Sequence, residues 1–393
     1  MASWIALRAR RAPWNWRRRR KFTASSGRAA AVTNEFEIIR RYFQRPPKRP
    51  DVVLGSGDDA ALLQPPPGML LAATTDTLVA GRHFHDDWPA ADIGWRALAV
   101  NLSDLAAMGA QPAWFTCALT VPEADEKWLA GFAQGLFELA AQYPLDLVGG
   151  NLSCGPLSIT IQALGFVAAE KALRRDAARP GDLICVTGTL GDASLALQLL
   201  DTRPPNPPST SSGQALPQGE GEQSFSPPRA EGVSKNLPPP RGEGLREGGA
   251  TDAQLIYLTQ RLRRPTPRIA AGLALAGVAH AAIDISDGLA ADLGHVLAAS
   301  GVGAEIRTNK LPMSPAFARL APRASRLPLQ LSGGDDYELC ICLPQDKLAA
   351  VQARLNVPLT VIGAVTATAG LRDLSTPGGQ RLTPAGYDHF PNI

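Results

Sequence analysis

A chain of 393 residues, 45% hydrophobic and 19% charged with a formal net charge of +3, has apolar material for two packed domains and no dominant charge that would mark a nucleic-acid or membrane-surface protein. Its five cysteines (Cys117, Cys154, Cys185, Cys340, Cys342) stand in apolar stretches without CxxC spacing, which argues against zinc or a disulfide framework and for reduced core thiols in a cytoplasmic protein. No run approaches the roughly 18 uninterrupted apolar residues of a membrane span.

The first 34 residues hold eight Arg, one Lys and no Asp or Glu, and removing these nine positive charges takes the formal charge from +3 to −6. Residues 1–33 are expected to be a disordered basic extension, with Val32 a candidate start, so the basic pI says little about partners. Phe36, Ile39 and Phe43 mark an opening helix, Leu70 to Val79 a strand, Ala91 to Met108 a helix, Trp114 to Val121 a strand and Glu123 to Gln142 a helix. After Leu145 to Val148 a turn is expected at Gly149-Gly150-Asn151, then an alternating strand from Leu157 to Val167. The second half again alternates strands and helices, with strand Leu183 to Val186, helix Ala193 to Leu200, helices on both sides of Pro265, strand Ala281 to Ile285 and helix Leu289 to Ser300. Strand Glu338 to Leu343, helix Lys347 to Leu355 and strand Leu359 to Val365 follow.

Residues 203–249 are crowded with Pro, Gly, Ser and Glu, a composition that cannot bury enough apolar surface to offset its ordering entropy; the segment reads as a disordered insertion. The expected parse is therefore α/β, more loosely α+β, in two domains, 34–168 and 169–393, with the insertion inside the second.

Aspartates recur in short Gly-, Ser- or Thr-rich segments. Asp58 and Asp59 follow Gly55-Ser56-Gly57, too flexible for an element interior, so both carboxylates can reach a metal, or one can cap the turn at Ala60. Thr74, Thr75 and Asp76 are placed at a strand end, where hydroxyl and carboxylate oxygens can share a cation. Asp104 stands within an apolar helix and needs a cation or hydrogen-bond donors. Asp284 and Asp287 bracket a strand-to-helix junction with Gly288 opening the helix; two carboxylates there repel phosphate unless metal bridges them. Mg²⁺ takes such oxygen ligands together with substrate phosphates, which points to phosphorylated substrates. There is no GxxxxGK[ST] and no HRDxxxxN segment, so P-loop and protein-kinase machinery are excluded.

Seven segments resemble the thiamine-monophosphate kinase family in family order: GSGDDAALL (55–63), TTDTLVAGRHF (74–84), ALAVNLSDLAAMGAQPAW (97–114), RPGDLICVTGTLGD (179–192), IDISDGLAADLGH (283–295), SGGDDYELC (332–340) and GYDHF (386–390). The resemblance implies the two-domain fold with mixed sheets of the aminoimidazole-ribonucleotide-synthetase-like superfamily, a homodimer built through the N-terminal domain, and ATP-dependent phosphorylation of thiamine monophosphate. It further implies several Mg²⁺ ions on Asp58, Thr74, Thr75, Asp76, Asp104, Asn151, Asp284 and Asp287, ATP contacts from Gly150, Asn151, Arg175 and Ser286, and thiamine-phosphate contacts from His83, Asp335 and Tyr387. No general base is expected, because the acceptor is already an anion. Two departures bear on activity: Asn151 stands where the family commonly has Asp, and Cys154 where it has a basic residue. Asp335 in place of a frequent Glu is milder. The alternatives are another ATP-using enzyme of the superfamily and a catalytically impaired thiamine-phosphate or nucleotide binder.

Overall fold

The computed structural model describes residues 34–201, 250–376 and 378–383. The expected extension, the insertion and the C-terminal motif with Tyr387 lie outside them. The chain opens with α1 (Glu35–Ile38), capped by the Asn34 side chain accepting from the Glu37 amide at 3.0 Å, and runs on into a π-turn over Ile39–Phe43. The wider turn shifts the buried face: Ile38, Tyr42 and Phe43 enter the core, whereas Phe36, expected to face inward, is 75% exposed. Strands β1 (Val52–Leu54) and β2 (Leu62–Leu63) pair antiparallel and carry the Gly55–Asp59 loop between them.

Next come β3 (Met69–Val79), α2 (Ala90–Ala107), β4 (Gln111–Val121), α3 (Glu126–Ala140), β5 (Asp146–Cys154) and β6 (Ser158–Ala168). They form a four-stranded sheet of order β3-β6-β4-β5, with β4 and β5 parallel and the other pairs antiparallel. Alternation sends Leu78, Ile159, Ile161, Phe115 and Leu119 to the face covered by α2 and α3. The two helices approach so closely that a Cβ on Gly135 would stand 1.7 Å from the Ala91 carbonyl oxygen. On the opposite face, Trp114 and Phe166 are covered from the β1–β2 side, and Leu71, Thr75, Thr77, Ala118 and Asn151 are exposed.

The expected turn at Gly149-Gly150-Asn151 is instead the middle of β5. Both glycines read as turn formers, but Gly150 serves strand packing: a Cβ there would lie 2.0 Å from the Cys117 carbonyl oxygen. Thr74, Thr75 and Asp76 likewise sit within β3 rather than at its end.

The second half comprises β7 (Leu183–Thr187), α4 (Asp192–Asp201), α5 (Ala250–Arg263), α6 (Ile269–Leu275), β8 (Ala281–Asp284), α7 (Leu289–Ser300), β9 (Gly303–Ile306), α8 (Pro315–Leu320), α9 (Arg323–Ser332), β10 (Leu339–Leu343), α10 (Leu348–Gln352), β11 (Leu359–Thr366), β12 (Gly370–Asp373) and β13 (Gln380–Leu382). Its seven-stranded sheet has the order β13-β12-β9-β11-β7-β10-β8, antiparallel except for the β12–β9 pair. The mixed sheets agree with the fold class; β9, β12, β13, α8 and α9 were not foreseen. Cys117, Cys185, Cys340 and Cys342 are buried free thiols as expected, but Cys154, at the end of the edge strand β5, is exposed.

Helix α2 joins the halves. Ser103 donates to Asp284 at 2.8 Å, the Trp95 indole donates to the Pro265 carbonyl at 2.9 Å, and Gly272 packs so tightly that a Cβ would lie 2.1 Å from the Ala106 carbonyl oxygen. Among the described residues no helix is long and apolar enough to cross a membrane.

Candidate active site

The seam between α2 and β8 gathers acids from both halves of the chain. Asp104 lies in the last turns of α2 and accepts a hydrogen bond from the Thr74 hydroxyl of β3. Asp76, two residues on and therefore on the same face of the strand, receives a backbone contact: Asn101, fully buried on α2, accepts its amide at 3.1 Å and donates to Ala97 O at 3.1 Å. From the other half Asp284, 3% exposed at the end of β8, accepts from Ser103, and Asp287 follows in the loop that leads into α7.

These carboxylates feel one another. Asp76 is pushed up to about 6, first by burial and then by the negative charges of Asp104 and Asp287. Asp284 is pushed up to about 8 by burial and by Asp104, with the Ser103 hydrogen bond and the Arg175 charge opposing. Burial also raises Asp104, against the pull of Thr74 and Arg175. Arg175 is thus placed where its charge reaches Asp104 and Asp284, though its side chain is exposed. Among the described residues no three His, Cys, Asp or Glu side chains close on one point as a preformed cage. The donor set is of hard oxygens with open positions, which suits Mg²⁺: that ion keeps water and takes substrate phosphate oxygens alongside one or two carboxylates.

The loop 285–288 is held from below by Asp292 of α7, whose Oδ2 accepts the amides of Ser286, Asp287 and Gly288 at 3.1 Å each. Asp292 thereby ties down the loop that carries Asp287 up to the N-cap Gly288, ahead of the helix's own first amides at Leu289, Ala290 and Ala291. Asp292 itself is pushed up to about 7 by burial and by Asp287. Sequence reasoning assigned Asp292 no role, because what distinguishes it is the set of loop amides it accepts.

Other expected residues lie apart. Thr75 points to the opposite face of β3 from Thr74 and Asp76 and is exposed. Asn151 shares a register row with Thr77, Thr160 and Ala118, which puts it roughly 14 Å across the sheet, three strand spacings of about 4.8 Å, on that same open face. Gly150, in the row of Asp76, Ile161 and Cys117, is on the edge strand. Asp58 is exposed in the β1–β2 loop and accepts the Asp59 amide at 2.8 Å; the structure gives it no contact with the acid cluster. His83, in the turn after β3, accepts the Val79 amide on Nδ1 at 3.0 Å, so the neutral ring carries its proton on Nε2.

Asp335 adjoins the loop: its amide donates to Ser286 O at 2.9 Å, and its carboxylate is met by the buried Arg96 of α2 and by the Tyr337 hydroxyl at 3.2 Å. Behind it, Glu338 is fully buried and accepts from Thr187 at 2.7 Å, Arg261 at 2.9 Å and Arg268 at 2.6 Å. Asp336 accepts the Gly191 amide at 2.8 Å, and burial holds its carboxyl well above the usual range. Arg96, Arg261, Arg268, Asp336 and Glu338 were all missed, because an arginine in a helix reads as a solvated charge until its burial is known.

The two halves match the two domains of the AIR-synthase-related proteins: the N-terminal domain description of that family matches residues 57–167 and the C-terminal one residues 244–373. The thiamine-monophosphate kinases of Salmonella typhimurium (strain LT2) and Escherichia coli (strain K12) are each 44% identical over 321 residues, 81% of this chain and 86% of theirs. That of Haemophilus influenzae is 39% identical over 366 residues, 91% of this chain and 98% of its own. The chain belongs to the thiamine-monophosphate kinase family. Among solved structures, the thiamine-monophosphate kinase of Stenotrophomonas maltophilia superposes with a TM-score of 0.68 at 41% identity, over 87% of this chain and 96% of that one. AaThiL complexed with AMPPCP and TMP gives 0.63 at 28% identity over 85% and 91%. The hydrogenase maturation protein HypE, at 19% identity and a TM-score of 0.61, shares the fold.

Proposed function

We propose that this protein transfers the γ-phosphoryl group of ATP to the phosphate of thiamine monophosphate, giving ADP and thiamine diphosphate, by direct in-line displacement in the cytoplasm. The observation that carries the reading is the gathering of Asp76, Asp104, Asp284 and Asp287, two from each half, where burial raises the carboxyls of Asp76, Asp104 and Asp284 and neighbouring acids raise Asp76 and Asp284 further. Such a cluster is unfavourable in the metal-free protein at neutral pH and becomes favourable when cations and phosphates enter together. Family membership and the relative solved with an ATP analogue and TMP support the same substrates.

Asp76, Asp104, Asp284 and Asp287, with the Thr74 hydroxyl, would hold the Mg²⁺ ions; when bound, Mg²⁺ supplies the positive charge that lets two polyanions approach and offsets charge in the transition state. Arg175 adds an exposed cation on the ATP side, where Ser286 and Gly150 also belong in this reading. His83 and Asp335 take the thiamine-phosphate side, with Tyr387 assigned there from sequence alone. The acceptor phosphate is already an anion, so no residue has to remove a proton, and no general base is assigned. The chain's part is to orient the two substrates and exclude water.

Asp58, Thr75 and Asn151 keep their assigned metal roles only through a second copy of the chain or a closure of the β1–β2 loop. The open face of the four-stranded sheet supports a homodimer: Leu71 is 47% and Val79 38% exposed there, beside Thr75, Thr77, Ala118 and Asn151. A coupled assay of ADP release with purified protein, Mg²⁺ and thiamine monophosphate tests the reading. Turnover dependent on all three supports it; saturable binding without turnover, or turnover only with another acceptor, sinks it.

A further inference from the structure

An arginine in the middle of α2, 2% exposed among apolar neighbours, is costly unless its charge is met. Arg96 donates to the Leu262 carbonyl at 2.6 Å on one side and to Asp335 Oδ1 on the other. Its guanidinium lies 5.9 Å from the Trp88 ring centroid and 5.6 Å from that of Tyr337. The fork is therefore fixed by the helix, a carbonyl and two rings. Asp335, by contrast, sits on a loop and its side chain is 30% exposed.

That loop is strained. Asp335 (φ 69°) and Tyr337 (φ 49°) are the two non-glycine residues with positive φ among the described residues, and an aromatic residue in the left-handed region is a genuine outlier. The backbone is tied by Asp335 N to Ser286 O at 2.9 Å and Tyr337 N to Ile285 O at 2.8 Å. Both side-chain donors, Arg96 and the Tyr337 hydroxyl, converge on Asp335 Oδ1. The other oxygen, Oδ2, has no hydrogen-bond partner among the described residues and belongs to the half-open part of the side chain.

We infer that Arg96 is a positioning residue for the acceptor side of the site: it holds Asp335 and Tyr337 in their left-handed conformations and aims Asp335 Oδ2 at a hydrogen-bond donor of the acceptor. The inference rests on the substrate role proposed above for Asp335. Position passes from the arginine to the acid, because the buried guanidinium is held through both terminal nitrogens and enclosed by two rings, with only Nε unpaired among the described residues, while the carboxylate stands on a loop with its side chain 30% exposed. It also ties acceptor binding to α2, the helix that carries Asp104, so that the acceptor and the acid cluster share one rigid element.

The test is Arg96→Met beside Arg96→Lys and Asp335→Asn, read by steady-state kinetics and by amide exchange. Arg96→Met should raise KM for thiamine monophosphate about 10- to 100-fold, leave KM for ATP within about twofold, and speed exchange of the 335 and 337 amides while β10 stays protected. Arg96→Lys, which keeps the charge, should recover most of the KM. Combining Arg96→Met with Asp335→Asn should add little to either alone. Should Arg96→Met not fold, Arg96→Gln is read in the same way. Equal losses toward both substrates, additive effects, or unchanged exchange at 335 and 337 would overturn the assignment. If the unmodified protein does not use thiamine monophosphate, the functional reading fails, and amide exchange alone decides whether Arg96 holds the segment.

Discussion

Two buried acid clusters lie on either side of the 335–337 loop, and they are built on opposite electrostatic plans. Around Glu338, acids stand beside cations: Arg261 and Arg268 both donate to Glu338, and Arg261 lies 3.7 Å from Asp192, which also accepts from the hydroxyls of Thr189 at 2.6 Å, Ser314 at 2.6 Å and Tyr257 at 3.3 Å. Around Asp104, the acids mainly face one another, hydroxyls and one exposed arginine. A buried acid with its own guanidinium is finished when the chain has folded. One whose nearest charges are other acids is finished by what it binds.

The sharpest way to break this comparison is to remove one acid from each cluster. Asp104→Asn should lower kcat/KM for thiamine monophosphate by about 10³-fold, or about 4 kcal/mol, while the metal-free protein melts no lower, because a like-charge repulsion is lost. A metal-free melting temperature well below that of the unmodified protein would make Asp104 a structural acid. Glu338→Gln should do the reverse: it strands Arg261 and Arg268 and destabilises the fold by about 3–5 kcal/mol in urea unfolding. Folded molecules at low temperature should keep near-normal KM values. A stability change under about 1 kcal/mol would show that the arginines find other partners.

pH separates the clusters more finely. Asp76 at about 6 and Asp284 at about 8 lie above the ordinary carboxylate range of an unfolded chain. The protonated acids favour the fold, so that contribution is complete in acid and is lost as pH rises through these two values. The metal-free protein should therefore lose stability between about pH 4 and pH 8, and the stabilisation added by Mg²⁺ should grow over the same interval. Thermal unfolding with and without Mg²⁺ measures both. A Mg²⁺ increment independent of pH would mean that the ions do not meet these carboxylates.

How far such a contrast can be read from sequence depends on what a residue's role requires. Asp104, Asp284 and Asp287 stood out as candidates because each has an odd place, inside an apolar helix or at a strand-to-helix junction, and odd placement is local information; Asp76 stood out by its Thr-rich segment, and it lies inside β3 rather than at the strand end expected. Strand β5 was misread because Gly149-Gly150 suits both a turn and a close strand approach, and only the Cys117 carbonyl at the next strand decides between them. The opening helix was misplaced in phase because a π-turn carries no composition signal. Arg96, Arg261 and Arg268 were invisible for a related reason: what makes them structural is burial, which belongs to the assembled halves rather than to any window of sequence. The strands β9, β12 and β13 are only three or four residues long, and β9 pairs with β11 and β12 more than fifty residues on, so local pattern had little to offer.

Asn151 is the smallest and most discriminating change, because the two ways of reading it differ in where the acid cluster ends. Within one chain it is exposed on the open sheet face, away from Asp76 and Asp104. Asn151→Asp should leave the pH dependence and melting temperature of the metal-free protein unchanged, since no like charge is near it. If a second copy or bound ATP brings this row of the sheet to the phosphates, the added carboxylate should lower the Mg²⁺ concentration for half-maximal activity by about two- to threefold, as an extra charged oxygen ligand does. An unchanged Mg²⁺ titration would confine the metal site to the seam between α2 and β8. A fall in metal-free stability would instead place Asn151 among the raised carboxylates already in the single chain, and the sheet register argues against that.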